Sequence, residues 1–198
     1  MKKLFVILIA VLFVTPIFSQ STDREYRTIL DGKDLKISGM GGPFMLFTSA
    51  AGEFGHMMGG GGGVILNNFF FGGYGLGLTN NIPADANLID NDDALTLGHG
   101  GFWIGYSLFG HLPIHLSVSS LVGFGELGLL PRDSYINSVN DQIFVLTPIV
   151  EIETNITRYL RIGAGVTYSL YTGVNIDGYS SKNFSSPGAF LGFKFGWF

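Results

Sequence analysis

The sequence predicts an eight-stranded antiparallel up-and-down β-barrel that crosses a membrane, with ten strands as the alternative count. Three observations predict it. From about Leu35 onward, Gly-rich apolar segments of strand length are joined alternately by short and long links. Those segments alternate with a period of two, one face apolar and the other small or charged. The mean hydropathy is +0.37, yet nothing beyond the chain start is long and apolar enough for a spanning helix. In lipid only helices and closed barrels satisfy every backbone N–H and C=O, so a barrel is favoured.

The chain opens with an export signal. Lys2 and Lys3 form a positive start, Leu4 to Phe18 is a nearly unbroken apolar run, and Ser19 and Gln20 precede the polar Ser21-Thr22-Asp23-Arg24-Glu25. An anchor helix needs about 20 apolar residues, more than this run supplies. Cleavage near Ser19 or Gln20 is expected. Residues 1–20 then form the signal peptide, 21–34 a short periplasmic segment and 35–198 the barrel. The chain holds no Cys, which excludes a lipoprotein anchor, a disulfide and thiolate chemistry. Two of the 11 basic residues, Lys2 and Lys3, leave with the signal, so 9 face 15 acidic ones, a net charge of −6. Nucleic-acid binding needs a basic surface and is not expected.

The strands follow in order. Leu35 to Thr48 reads as an opening strand interrupted by Gly41-Gly42-Pro43, where Pro is tolerated at a bulge or where its missing donor is harmless. Phe54 to Leu66 carries five consecutive glycines, Gly59 to Gly63. In the third strand Phe70, Tyr74, Leu76 and Leu78 share one phase, opposite Gly73, Gly75 and Gly77. In the fourth, Phe102, Ile104, Tyr106 and Leu108 alternate with Gly101, Trp103, Gly105 and Ser107. Ile114, Leu116, Val118, Val122 and Phe124 then alternate with His115, Ser117, Ser119, Leu121 and Gly123. Phe144, Leu146, Pro148, Val150 and Ile152 alternate with Val145, Thr147, Ile149, Glu151 and Glu153, and Pro148 predicts a local bulge. The seventh strand is the clearest, with Leu160, Ile162, Ala164, Val166, Tyr168 and Leu170 facing lipid and Arg161 on the lumen side. In the last, Leu191, Phe193, Phe195 and Trp197 face lipid, opposite Gly192, Lys194 and Gly196.

The links give the orientation. Asn67-Asn68, Gly110 to Pro113 and Asn155 to Arg158 are short. Thr79 to Thr96, Gly128 to Gln142 and Thr172 to Pro187 are long and polar, and Ser49 to Glu53 is the one short link among them. Outer-membrane barrels place short turns on the periplasmic side and long loops outside. An even strand count puts both ends of the barrel on the periplasmic side.

An eight-stranded barrel is just wide enough for side chains to fill it. Glycines on the inner face serve curvature and make room for Trp103, Phe190 and Tyr171. Glu151, Glu153, Arg161 and Lys194 are expected to form an internal salt-bridge network, because an unpaired buried charge costs several kcal/mol. A gate at the same residues is the competing reading. His115 and Ser117 share one face two residues apart, a spacing similar to that of lipid A deacylase barrels. They are weak catalytic candidates only, since the pair falls beside a periplasmic turn and that chemistry belongs at the outer leaflet. Asp90, Asp92 and Asp93 form an oxygen-rich loop that lacks the Gly and distal Glu of an EF-type site, so no metal is expected there. His56 and His99 lack ligand spacing. No cofactor is expected.

The chain resembles the small outer-membrane β-barrel proteins of OmpA/OmpX-like type found in Bacteroidota. The resemblance rests on Ser38-Gly39-Met40-Gly41-Gly42-Pro43, Gly52-Glu53-Phe54, Gly59 to Gly63 before Ile65-Leu66-Asn67, and Gly72-Gly73-Tyr74-Gly75-Leu76-Gly77. Gln20 is similar to export-signal boundaries of that phylum. The resemblance implies integral outer-membrane residence, contact with outer-membrane lipids and insertion by the barrel-assembly machinery, with Phe198 as assembly signal. It carries over no activity. One departure is that Phe198 falls out of phase with Phe193, Phe195 and the other lipid-facing residues. The expected role is structural or interactive, through an extracellular ligand or protein at the loops. A narrow pore and a lipid-modifying enzyme are the alternatives.

Overall fold

The computed structural model describes residues 35–83, 94–130, 139–176 and 178–198. The expected signal peptide, the segment 21–34 and Asp90, Asp92 and Asp93 lie outside them. The elements are β1 (Ile37–Ala50), β2 (Glu53–Leu66), β3 (Phe69–Leu78), β4 (Ile82–Pro83), β5 (Ala94–Leu108), β6 (Ile114–Leu130), β7 (Val139–Thr157), β8 (Leu160–Thr172), a one-turn helix α1 (Ser181–Phe184) and β9 (Ser186–Gly196). Every long strand pairs antiparallel with its neighbours in the order β3-β2-β1-β9-β8-β7-β6-β5, and a β3–β5 ladder closes the ring. Eight long strands therefore form a closed barrel with no free edge. Two-residue β4 pairs with the start of β5 and continues β3 after a short interruption.

The turns follow local chemistry. Ala51 and Gly52 both hold positive φ, 55° and 86°, as a two-residue hairpin between right-twisted strands requires. Asn67, at φ 57°, uses the residue type that best tolerates that region after Gly, and its Oδ1 accepts the Lys36 N–H at 2.9 Å. The third turn differs from the expected Asn155 to Arg158. β7 runs on to Thr157, the register shifts between Asn155 and Thr157, and Arg158-Tyr159 make the turn. A bulge there absorbs the residue that the turn would otherwise hold.

Pro148 makes no bulge, contrary to expectation, and Pro43 falls where its missing donor is harmless. Pro148 pairs with Ser120 on one side, and toward β8 the ladder skips Thr147 and Pro148 without changing register. Pro43 does the same toward β9. Pro removes one donor and keeps an extended φ, so the cost is one missing ladder bond rather than a bulge. Beside Pro148 the gap is spanned inside the barrel by Thr147 Oγ1 donating to Ser169 Oγ at 3.2 Å.

Alternation sorts the side chains into wall and lumen. Phe102, Val118, Phe124, Val150 and Val166 are exposed on the outer wall, while Trp103, Leu121, Val145, Ile149 and Tyr171 are buried inside. β3 differs from the later strands: Phe70, Tyr74 and Leu76 point inward, and Gly73, Gly75 and Gly77 share the outer face with Phe69 and Phe71. The lumen is layered. Toward the loop end Leu95, Leu97, Leu127, Ile143 and Phe184 of α1 pack together. In the middle the rings of Phe44, Phe70, Trp103 and Phe190 meet at centroid distances of 5.0 to 6.3 Å. Trp103 Nε1 donates to Ser119 Oγ at 3.2 Å, which satisfies its polar atom in an apolar layer. Toward the turn end the lining becomes polar and charged.

Candidate functional site

β7 brings Glu151 and Glu153 inward two residues apart, and β8 and β9 place Arg161 directly across from Lys194. Lys194 Nζ donates to Glu151 Oε1 at 2.6 Å and also to Glu153 Oε1. Arg161 Nη1 lies 3.6 Å from Glu153 Oε2. His115, opposite Glu153 in the β6–β7 ladder, puts Nε2 2.8 Å from the same oxygen. All five side chains are buried; Arg161, at 9 %, is the most exposed. Two carboxylates thus meet two cations and a histidine, which is how buried charge is made tolerable.

Lys194 sits two strands away from the carboxylates it binds, with β8 between them. Gly163 makes that reach possible, because a Cβ at this position would overlap Glu151 Oε2. The Lys194 ammonium also lies 5.1 Å from the Trp103 ring centroid and 5.7 Å from that of Phe70. The aromatic layer therefore caps the charges on the loop side and adds cation–π attraction. Gly163→Ala is expected to cost about 1–3 kcal/mol through overpacking. Gly75→Ala, where a Cβ meets nothing within 4 Å, is expected to stay within about 0.5 kcal/mol. Urea unfolding in lipid vesicles compares the two.

His115 and Ser117 are not joined as base and nucleophile. The two ring nitrogens of His115 face the Glu153 carboxylate and, at 3.2 Å, the Leu112 carbonyl. Ser117 Oγ, fully buried, points at the Tyr106 carbonyl at 3.5 Å. His56 and His99 lie on opposite faces of the wall: His56 stacks on Phe47 at 5.1 Å, and His99 Nδ1 is 2.9 Å from the Tyr74 hydroxyl inside. Among the described residues no group of three or more His, Asp or Glu side chains is placed to hold a metal.

Leu160, Ile162, Val166, Tyr168, Leu191, Phe193 and Phe195 all stand on the outer wall, with Val166 66 % and Phe195 54 % exposed. Trp197, past the end of β9, meets Tyr159 edge-on at 4.7 Å. Phe198 turns the other way, its ring under the Arg161 guanidinium at 3.9 Å. The place of His115 in the charge cluster was not read from the sequence. The signal was available in the β6–β7 register, which sets His115 against Glu153.

No family model matches the chain, and no curated protein matches it. Among solved structures it is similar to Neisserial surface protein A, with a TM-score of 0.58, 10 % identity, and coverage of 83 % of this chain and 99 % of that one. A major outer membrane protein from Thermus thermophilus aligns at TM-score 0.47 and 12 % identity over 82 % of this chain and 100 % of that one. Ail, the attachment invasion locus protein of Yersinia pestis, aligns at 0.44 and 11 % over 81 % and 97 %. These two scores add nothing to the fold assignment. The first likeness, at so low an identity, shows the fold alone.

Proposed function

We propose that this chain is an integral outer-membrane β-barrel protein of the OmpA/OmpX-like kind, with a filled lumen and a structural or surface-interaction role carried by its outward loops. One observation carries the reading: the polarity of the barrel is inverted relative to a water-soluble one. Its ionised side chains are buried inside, while Phe54, Phe71, Phe102, Phe124, Val166 and Phe195 are 47 to 72 % exposed outside. Such a wall suits lipid and is unfavourable in water. Among the described residues the exposed charges sit near the barrel ends, Glu53, Glu126 and Lys182 at one and Lys36 and Arg158 at the other. Tyr106, Tyr159 and Trp197 gather at the turn end as an interfacial girdle.

In this reading the lipid-facing residues are Leu160, Ile162, Val166, Tyr168, Leu191, Phe193, Phe195 and Trp197. The cleaved signal exports the chain and the barrel-assembly machinery inserts it, with Phe198 part of the terminal signal. The short links face the periplasm and the long ones the outside, where loops on a rigid scaffold meet partners. The ring layer of Phe44, Phe70, Trp103 and Phe190 supports a closed lumen over a narrow pore. The second ring nitrogen of His115 faces the Leu112 carbonyl, and Ser117 Oγ points at the Tyr106 carbonyl, which supports a non-enzymatic role.

The protein is expected to resist alkaline carbonate extraction from membranes. A tag inserted within 131–138 is expected to bind antibody on intact cells, and one within 109–113 only after the cells are opened. Recovery in the carbonate supernatant contradicts membrane residence; reversed tag accessibility contradicts the orientation.

A further inference from the structure

Below the charge cluster, at the turn end, the lumen opens into a cavity of ≈ 560 Å³. That is the size of a small-molecule site, and its mouth is open. Its lining divides by chemistry. Met40, Ile65, Trp197 and Phe198 supply an apolar side, and Lys36, Arg158 and Arg161 supply cations. Glu153 is the one acidic side chain in the lining, and it is already held by Lys194 and His115. The cavity therefore carries surplus positive charge beside an apolar wall.

Arg161 is the underused group. It is 9 % exposed, its closest anionic contact is the 3.6 Å approach to Glu153, and its Nε has no hydrogen-bond partner. The Phe198 ring at 3.9 Å covers one face of the guanidinium. Directly across the β7–β8 ladder stands Asn155, also in the cavity lining. Its Nδ2 donates to the Leu112 carbonyl at 2.9 Å and lies 3.4 Å from that of Gly110, which fixes the amide and leaves Oδ1 as an acceptor without a donor. A buried donor and a buried acceptor, each unpartnered, thus belong to two residues paired across one ladder. Native interiors rarely leave such atoms unmet.

We propose that this cavity binds a small organic carboxylate that has an N–H or O–H beside the carboxylate and an apolar body. The carboxylate meets the Arg161 guanidinium, with Lys36 and Arg158 at the rim; the neighbouring donor meets Asn155 Oδ1; the body lies against Trp197 and Phe198. Both orphan atoms are enclosed, so binding entails a turn of the Arg161 side chain toward the cavity. An N-acylated amino acid, or the carboxyl end of a peptide, has this arrangement. The site is built by the barrel itself and goes beyond the surface role proposed above. It is measured in detergent, whichever membrane holds the protein.

The test titrates the detergent-refolded barrel with N-acetylphenylalanine and with its C-terminal amide by calorimetry in matched micelles. The acid is expected to bind and the amide to bind at least about tenfold more weakly. The double variant Lys36→Gln with Arg158→Gln changes only exposed rim residues and is expected to weaken the acid about three- to tenfold. Arg161→Lys, which keeps the charge but loses the planar fork, is expected to lose at least about tenfold. Should that variant fail to fold, the rim variant still decides. Equal binding of acid and amide, no heat from the acid at about 10 mM, displacement of the acid by equimolar inorganic phosphate, or an unchanged rim variant would each overturn the proposal.

Discussion

Lys194→Met is expected to destabilise the barrel by about 3–5 kcal/mol, the cost of leaving buried charge uncompensated. Lys194 is the only cation within hydrogen-bond distance of either carboxylate among the described residues, since Arg161 stands 3.6 Å away. Glu151 already has one oxygen without a partner, so the loss of Lys194 strips it entirely. Glu153 keeps His115 and the distant Arg161. Neutralising the acids together with the base, as Glu151→Gln, Glu153→Gln and Lys194→Met, is expected to recover most of the loss, because a buried ion cluster replaced as a whole is often neutral. Urea midpoints of the refolded proteins in lipid vesicles measure both variants. A single-variant loss under about 1 kcal/mol would mean that water reaches the cluster and solvates it.

The second large effect is expected on the other side of the wall. Val166 lies mid-strand in β8, 66 % exposed, paired with Val150 and Ala189. In lipid an Arg at mid-depth on this face costs about 2–4 kcal/mol. In water the same exposed substitution would stay within about 0.5 kcal/mol. Val166→Arg therefore separates the proposed membrane barrel from a soluble one of the same fold. Unfolding is measured in vesicles against Thr172→Arg at the loop end of the same strand, where the cost falls to about 0–1 kcal/mol. Equal costs at the two positions would contradict a lipid-facing wall.

The barrel was legible because two independent patterns agreed. Side-chain alternation set the faces of β5 to β9, and alternating link lengths set the strand count and direction. Where one pattern was missing, the reading was poorer. β3 carries large residues on both faces, Phe69 and Phe71 on one and Phe70, Tyr74 and Leu76 on the other, and apolarity alone does not say which faces lipid when the facing interior is aromatic too. The rings of Phe44 and Trp103 draw Phe70 inward. Pro148 was read by its usual association with bulges, yet a Pro whose missing donor falls on one ladder needs no extra residue. The reverse held near Asn155, where a bulge arises without Pro.

At the charge cluster the residues were legible and most of their partners were not. Sequence spacing placed Glu151, Glu153, Arg161 and Lys194 inside, because charge on an alternating strand belongs to the lumen. It did not show that Lys194 reaches across β8, which depends on Gly163 having no side chain. Nor did it set His115 in that network, which depends on a register between strands that are joined by a long link. Phe198 was out of phase with its strand, and the structure shows the physical outcome: β9 ends at Gly196 and the last ring turns to Arg161.

The central claim is a membrane barrel whose lumen is filled by the aromatic layer and the buried ions. Single-channel recording of the refolded protein in a planar bilayer tests it most directly, with folding first verified by resistance to SDS before heating. No conductance steps are expected from folded, inserted protein. Discrete open steps that change size or lifetime in Lys194→Met would contradict it, and would make Glu151, Glu153, Arg161 and Lys194 the lining of a channel.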